Sequence, residues 1–165
     1  MKEIEFGKLP PLGLPTAGLR IEKDNEGNLF VYDKLRKRMV ALTPEEYVRQ
    51  TFVEWMINER GYPSSHMANE VKLDINGMAK RSDTVIFGYD GVPLIVIEYK
   101  APNVQITQET FDQIVRYNTS LKAKYLIVSN GINSYCCVID YQRNTFNFIR
   151  TIPTYREAIG LPSVN

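Results

Sequence analysis

Two turn signals, Asn76-Gly77 and Asp90-Gly91, constrain the fold of this chain more than any other feature. Both dipeptides favour the positive backbone angles of a type I′ hairpin turn. They separate three segments of strand character, residues 70–75, 82–89 and 92–100, and therefore predict an antiparallel meander. In the third segment, VPLIVIEYK, the residues that would point to either face of the strand are apolar up to its polar end. This pattern is typical of a central strand covered on both faces.

Helical signals flank the meander. Thr43 is a suitable N-cap, Pro44 suits the first helical position and Glu46 completes a capping box, so a helix is predicted from about residue 44 to 60. Apolar spacing predicts a second helix within 107–123, followed by a buried strand at 124–129. The order of helix, three antiparallel strands, helix and strand predicts an α/β layered domain with a mixed sheet.

The remaining segments complete a single predicted domain, residues 1–165. Residues 28–42 indicate two short strands around a basic turn, and 134–140 with 145–150 indicate a last strand pair. Proline and glycine in the first 20 residues favour an irregular arm, so 1–42 is predicted to be an arm with a short hairpin and 43–150 the main core. No apolar run approaches the roughly 20 residues that span a bilayer, and we expect a soluble, cytoplasmic protein without membrane contact.

Charge and cysteine content exclude some kinds of site. The net charge of +1 argues against a protein that coats nucleic acid by bulk charge, so local basic patches must supply any such contact. The two cysteines are adjacent in an apolar stretch and are predicted to be buried thiols. The candidate patches are Lys34 with Arg36, Lys37 and Arg38, then Lys80 with Arg81, then Lys122 with Lys124.

Three polar residues of the meander form the candidate site. If Asp90 and Gly91 are a two-residue hairpin loop, Asp83 lies opposite Glu98, and Lys100 projects on the same face as Glu98. Two carboxylates this close repel each other unless a cation lies between them. Carboxylates that hold Mg²⁺ beside a lysine suit phosphodiester hydrolysis. In the alternative interpretation, Glu98 and Lys100 are only an edge-strand charge pair.

These residues resemble a known family. The run RSDTVIFGYDGVPLIVIEYKAP, with QIVRY after it, resembles the nuclease domain at the N-terminus of type I restriction enzyme R subunits, in the PD-(D/E)XK superfamily. The resemblance covers roughly residues 43–129. It implies a restriction-endonuclease-like three-layer core, Mg²⁺ or Mn²⁺ as cofactor, DNA as substrate and other restriction-modification subunits as partners. Residues 43–150 would then be the catalytic core.

The resemblance also implies roles for residues outside the meander. Gln113 and Tyr117 match the family's Gln-x-x-x-Tyr motif, which is implicated in supporting the active site and in DNA contact; a spacing of four places both on one helix face. An acid from the first helix often joins the metal site in the superfamily. Glu54 is the candidate ligand here beside Asp83 and Glu98, with Glu46 and Glu70 as alternatives.

One departure from the family limits the expected activity. A complete type I R subunit carries an ATP-driven motor, whereas this chain has no phosphate-loop motif and therefore no predicted ATP site. The chain is then either the nuclease domain of a longer protein or a small free-standing relative. The main hypothesis is metal-dependent endonucleolytic cleavage of DNA. The alternatives are a non-catalytic nucleic-acid-binding or assembly module and, third, an RNA or repair nuclease with the same chemistry.

Overall fold

A computed structural model describes residues 9–15, 18–118 and 120–162. Nine strands and three α-helices are assigned within these ranges, together with a 3-10 turn at Ser64–His66. In chain order they are β1 (Ile21–Lys23), β2 (Leu29–Asp33), β3 (Arg38–Ala41), α1 (Pro44–Arg60), β4 (Met67–Ile75), β5 (Met78–Phe87), β6 (Pro93–Tyr99), α2 (Gln108–Asn118), β7 (Tyr125–Ser129), β8 (Ser134–Asp140), β9 (Thr145–Ile149) and α3 (Tyr155–Ala158). No helix among these residues is long and apolar enough to cross a membrane.

The main sheet has six strands in the order β4-β5-β6-β7-β8-β9. Every neighbouring pair is antiparallel except β6 and β7, which are parallel. A parallel pair needs a long crossover, and α2 provides it between these two strands. The central position of β6 and β7 explains their apolar sequences, because Ile95, Val96 and Ile97 are buried, as is all of β7.

Two hydrophobic clusters cover the two faces of this sheet. On one face, Val48, Phe52 and Met56 of α1 pack with Ile97 and other residues of the central strands. On the opposite face, Phe111 and Ile114 of α2 pack with Val85, Val96 and Leu126. The result is a three-layer α/β domain with a mixed sheet, which confirms the predicted fold class.

The first helix begins and ends where the sequence predicts, but its capping box is only half formed. The backbone N–H of Glu46 donates to Oγ1 of Thr43 at 3.0 Å, as expected for an N-cap. The carboxylate of Glu46 does not return to Thr43. It accepts from Arg36 at 2.5 Å and from Gln50 at 3.1 Å, because a cation supplied by the N-terminal sheet offers a charge-assisted bond.

The predicted hairpin at 28–42 is present as β2 and β3, and β1 extends it to a three-stranded sheet that the sequence analysis missed. This small sheet is joined to the core by buried polar contacts. Asp33 is fully buried at the end of β2 and accepts from the amide of Asn69 at 2.9 Å. Burial raises the pKa of Asp33, but hydrogen bonds from Asn69 and Arg36 outweigh that effect, so the pKa is lowered and the carboxylate stays charged.

Candidate active site

The register between β5 and β6 places Asp83 opposite Glu98. Thr84 pairs with Ile97, Val85 with Val96 and Ile86 with Ile95, so one further step brings the two acids to opposed positions. This confirms the predicted register at these pairs. Adjacent side chains alternate across a strand, so Lys100 follows Glu98 towards the same face of the sheet.

The turn that sets this register differs from the expected two-residue loop. Gly88 N–H donates to the carbonyl of Val92 at 2.9 Å, so the loop has three residues, and Gly91 has φ 78°. That loop alone would shift the register by one residue. Phe87 pairs with Pro93 while Ile86 pairs with Ile95, which leaves Leu94 as an extra residue on β6. The bulge at Leu94 shifts the pairing back by one residue. The longer loop and the bulge therefore compensate each other, and the predicted register holds at the acids.

A backbone distortion in β4 lies beside the site. Asn69 pairs with Thr84 and Val71 with Ser82, but Glu70 between them has φ 57° and interrupts the ladder opposite Asp83. As a result, the side chains of the pairs on either side of Glu70 point to opposite faces of the sheet. Asn69 and Thr84 bond to each other on the α1 side, whereas Ser82 donates to Asn118 of α2 at 3.2 Å. A non-glycine residue with positive φ inside a strand is strained, and such strain clusters at functional sites.

The carboxyl groups of Asp83 and Glu98 lie close enough to interact directly. Burial and the neighbouring charge of Asp83 together raise the pKa of Glu98 well above its usual range, although Lys100 partly opposes the shift. The backbone N–H of Tyr99 donates to Oδ2 of Asp83 at 2.8 Å and fixes that carboxylate. In the absence of a cation, the raised pKa favours the protonated form of Glu98. A cation between the two oxygens would remove the need for that proton.

A cleft of about 180 Å³ opens on this pair. Glu98 and Lys100 line it from the end of β6, Gln113 and Thr110 from α2, and Lys80 with its neighbours from the β4–β5 hairpin. The structure therefore brings three of the predicted site residues, Glu98, Lys100 and Gln113, around one opening. Asp83 joins them through its contact with Glu98. Tyr117 lies in α2, and its side chain is outside the described part of the chain.

The first-helix acid expected in the metal site is not brought to it. Glu54 forms an ion pair with Lys34 and accepts from Asn58 at 3.1 Å. Glu46 is bound by Arg36 and Gln50, and Glu70 accepts from Arg49 at 2.6 Å. Across the described residues, no group of three or more histidine, cysteine, aspartate or glutamate side chains is placed to hold a metal ion. Among the described residues, Asp83 and Glu98 are therefore left as the predicted metal ligands that lie together.

Arg49 is a site residue that the sequence analysis missed. Its guanidinium donates to the backbone carbonyl of Asp83 at 2.9 Å and to the carboxylate of Glu70 at 2.6 Å, and it lies over the ring of Tyr99. Arg49 is only 7 % exposed. One side chain thus holds the distorted strand β4 against the strand that carries Asp83. The signal was present in the sequence, since Arg49 shares the helix face of Phe52 and Met56 at spacings of three and seven.

Other basic residues and the two cysteines have structural explanations. Two residues of the basic run at 34–38 form ion pairs within the protein. Lys34 pairs with Glu54, and Arg36 pairs with Asp33 and Glu46. His66 lies 3.1 Å from the hydroxyl of Tyr155 and packs edge-on against its ring. Both cysteines are buried free thiols, as predicted.

Fold and cleft together define a class: a three-layer α/β domain whose central antiparallel strands present an acid pair and a lysine at one cleft. Comparison with protein families agrees with this class. Residues 44–153 match the family model described as type I restriction enzyme R protein N terminus (HSDR_N). The match covers well over half of the chain, and the chain belongs to this family.

A solved structure supports the same fold. The chain matches a fragment structure described as the HsdR subunit of a type I restriction enzyme from Vibrio vulnificus YJ016, with a TM-score of 0.53 and 20 % identity. The alignment covers 72 % of this chain and 25 % of that one, so the chain spans about a quarter of the matched protein. No curated protein matches the chain.

Proposed function

We propose that this chain is a metal-dependent DNA nuclease module of a type I restriction-like system. The observation that carries the proposal is the contact between the carboxyl groups of Asp83 and Glu98 at a cleft that Lys100 also lines. Elsewhere in a soluble domain, two acids placed against each other in a buried position would be a defect. In a nuclease they are the ligands of a divalent cation.

The donor set fits magnesium or manganese. Mg²⁺ prefers hard oxygen ligands and is commonly bound through one or two carboxylates, with water and substrate phosphate completing its shell. Two carboxylates without a third acid match this pattern. When bound, the ion would stabilise the negative charge that develops on the scissile phosphate.

The protein's own groups would orient this chemistry. The N–H of Tyr99 and the guanidinium of Arg49 hold Asp83 from two sides, which fixes one carboxylate before substrate arrives. Lys100 supplies an ammonium at the cleft that would bind a phosphate oxygen or position the attacking water. Gln113, exposed on α2 at the opposite wall, offers an amide to the nucleotide next to the scissile bond. Tyr117 is proposed as the second member of that helix motif.

Metal binding and cleavage test the proposal together. Wild-type protein should bind Mn²⁺ saturably and nick plasmid DNA with Mg²⁺ or Mn²⁺. Asp83→Asn should lose both properties, whereas Lys100→Gln should lose cleavage and keep the fold. Lys122→Gln is the matched control, because Lys122 lines a separate pocket at the turn end of β5 and β6.

Two results would contradict the proposal. One is Mn²⁺ binding that is absent or unchanged by Asp83→Asn. The other is cleavage that persists in Lys100→Gln. DNA binding that survives in chelator, with no cleavage under any divalent ion, would instead support a non-catalytic binding module. Other restriction-modification subunits are the proposed partners, and their addition is the appropriate second condition if the isolated chain binds metal without cleaving.

A further inference from the structure

The hairpin of β4 and β5 extends beyond the rest of the sheet. β5 pairs with β6 only from Thr84 to Phe87, whereas its pairing with β4 continues to Ile75 and Met78. Residues 71–82, called here the β4–β5 arm, are therefore a two-stranded ribbon. Five residue pairs at about 3.3 Å each give it a reach of about 15 Å. The sequence analysis placed the start of β5 at residue 82 and so predicted no such projection.

Two like charges on the β4–β5 arm weaken the pairing of its strands. Lys72 lies opposite Arg81, and both side chains are exposed. Like charges directly opposed across an antiparallel pair destabilise it, and an isolated two-stranded ribbon is already marginal in water. The only acid on the arm, Asp74, faces Ala79 rather than a cation. A bound polyanion would relieve the repulsion between these two cations.

The arm carries cations on both of its faces. Lys80 lines the cleft, next to Lys100. Its neighbour Arg81 projects to the other face, where its guanidinium lies 3.9 Å from Glu70 and remains largely exposed. The tip is a tight turn in which Asn76 and Gly77 both have positive φ, followed by Met78 at 61 % exposure.

This shape and charge fit a groove of double-stranded DNA. The major groove is about 12 Å wide and admits a two-stranded ribbon, and phosphates line both of its edges. A ribbon with cations on both faces can contact both edges. Single strands are instead bound by aromatic stacking platforms, and residues 71–82 contain no aromatic residue.

We propose that the β4–β5 arm is a DNA-contacting element that enters a groove of duplex DNA, with Lys72 and Arg81 on one backbone and Lys80 on the other. This inference rests on the proposed nuclease function and adds the part of the chain that would hold the substrate. The arm and α2 form the two walls of the cleft, and a duplex held by the arm places one backbone over Glu98 and Lys100.

Salt-dependent binding in EDTA tests the arm separately from catalysis. Anisotropy measurements with a 30-base-pair duplex and the corresponding single strand, at several salt concentrations, compare wild type with Lys72→Gln/Arg81→Gln. Each lost phosphate contact should reduce the slope of log K against log salt by about 0.9, so the double variant should lose about 1.8 for duplex. The matched control is Arg143→Gln/Arg150→Gln, which removes two exposed cations outside all three candidate basic patches.

The expected result is weaker duplex binding in the arm variant alone, with an unchanged or higher melting temperature because a like-charge pair has been removed. Equal slopes in the arm and control variants would overturn the inference. An equal loss of binding to single strands, or to heparin, would also overturn it, because neither presents a DNA groove. Mn²⁺ binding separates the two proposals. If wild type binds Mn²⁺ but the arm variant binds duplex DNA normally, only the proposed role of the arm is contradicted. If the arm variant loses duplex binding but wild type binds no Mn²⁺, only the proposed nuclease function is contradicted.

Discussion

The raised pKa of Glu98 predicts how stability depends on pH when no metal is present. The folded state raises the pKa of Glu98 to about 9 through burial and through the charge of Asp83. A carboxyl group whose pKa is raised on folding stabilises the protein fully below its unfolded value of about 4.5, and this contribution is lost as the pH rises through the folded value. Metal-free protein should therefore lose stability as the pH rises from about 5 towards 9.

Glu98→Gln should remove that dependence. Glutamine reproduces the protonated carboxyl group, since its amide can donate to Asp83 and it carries no charge. Each unit of pKa shift corresponds to about 1.4 kcal/mol, and the pKa of Glu98 is raised to about 9, so the variant should be more stable than wild type by several kcal/mol at pH 8. At about 2–4 °C per kcal/mol for a domain of this size, the melting temperature should rise by on the order of 10 °C. Near pH 5 the two proteins should be nearly equal.

Urea denaturation in EDTA at pH 5, 6, 7 and 8 measures the effect, with Glu109→Gln as control because Glu109 is exposed at the start of α2. Using the difference between variant and wild type cancels the titration of all other groups. A difference that stays constant from pH 5 to pH 8 would refute the raised pKa of Glu98. Adding Mg²⁺ at pH 8 should stabilise wild type by about 2.7 kcal/mol at 100 times its dissociation constant, and Glu98→Gln much less.

Three further predictions concern residues around the site. Arg49→Met should destabilise the protein by about 3 kcal/mol in urea titration, because it removes the guanidinium that pairs with Glu46 and Glu70 and donates to the carbonyl of Asp83, and a loss below about 1 kcal/mol would contradict the role assigned to Arg49. Tyr99→Phe removes the hydroxyl that donates to Thr84 at 3.0 Å and should cost about 1–2 kcal/mol while cleavage per folded molecule stays unchanged; a lost cleavage rate with intact stability would disprove this purely structural role. Burial raises the pKa of Cys136 and of Cys137 to about 12, so both thiols should resist a thiol-reactive dye at pH 8 until urea unfolds the chain, and rapid labelling of native protein would show that they are accessible.

The sequence predicted the parts of this fold that local chemistry determines. The N-cap and proline signals located α1 from its first to its last residue, and the two turn signals located the meander. The apolar run of β6 correctly indicated a strand covered on both faces. These features depend on neighbours within a few residues, so they can be read without knowledge of the tertiary structure.

The parts that were missed depend on contacts between distant residues. Arg49 reaches Asp83 and Glu70 across 34 and 21 positions of sequence, so no local pattern specified its partners. The ion pair of Glu54 was not foreseen, because its partner Lys34 lies in the turn between β2 and β3. The register next to the acid pair was predicted correctly, although the prediction assumed a two-residue loop. The loop has three residues, and the bulge at Leu94 compensates for the additional one.

Three departures from ordinary folding rules meet around one cleft, and their coincidence is itself an argument for function. An acid lies against an acid, a cation lies opposite a cation in the arm, and Glu70 adopts positive φ inside a strand. Among the described residues, the other non-glycine positions with positive φ lie in turns, where such angles are common. Selection for stability alone would remove each of these conflicts independently. Their retention at a single place is expected if a bound cation and a bound polyanion resolve the charges, and if Arg49 holds the distorted strand ready for both.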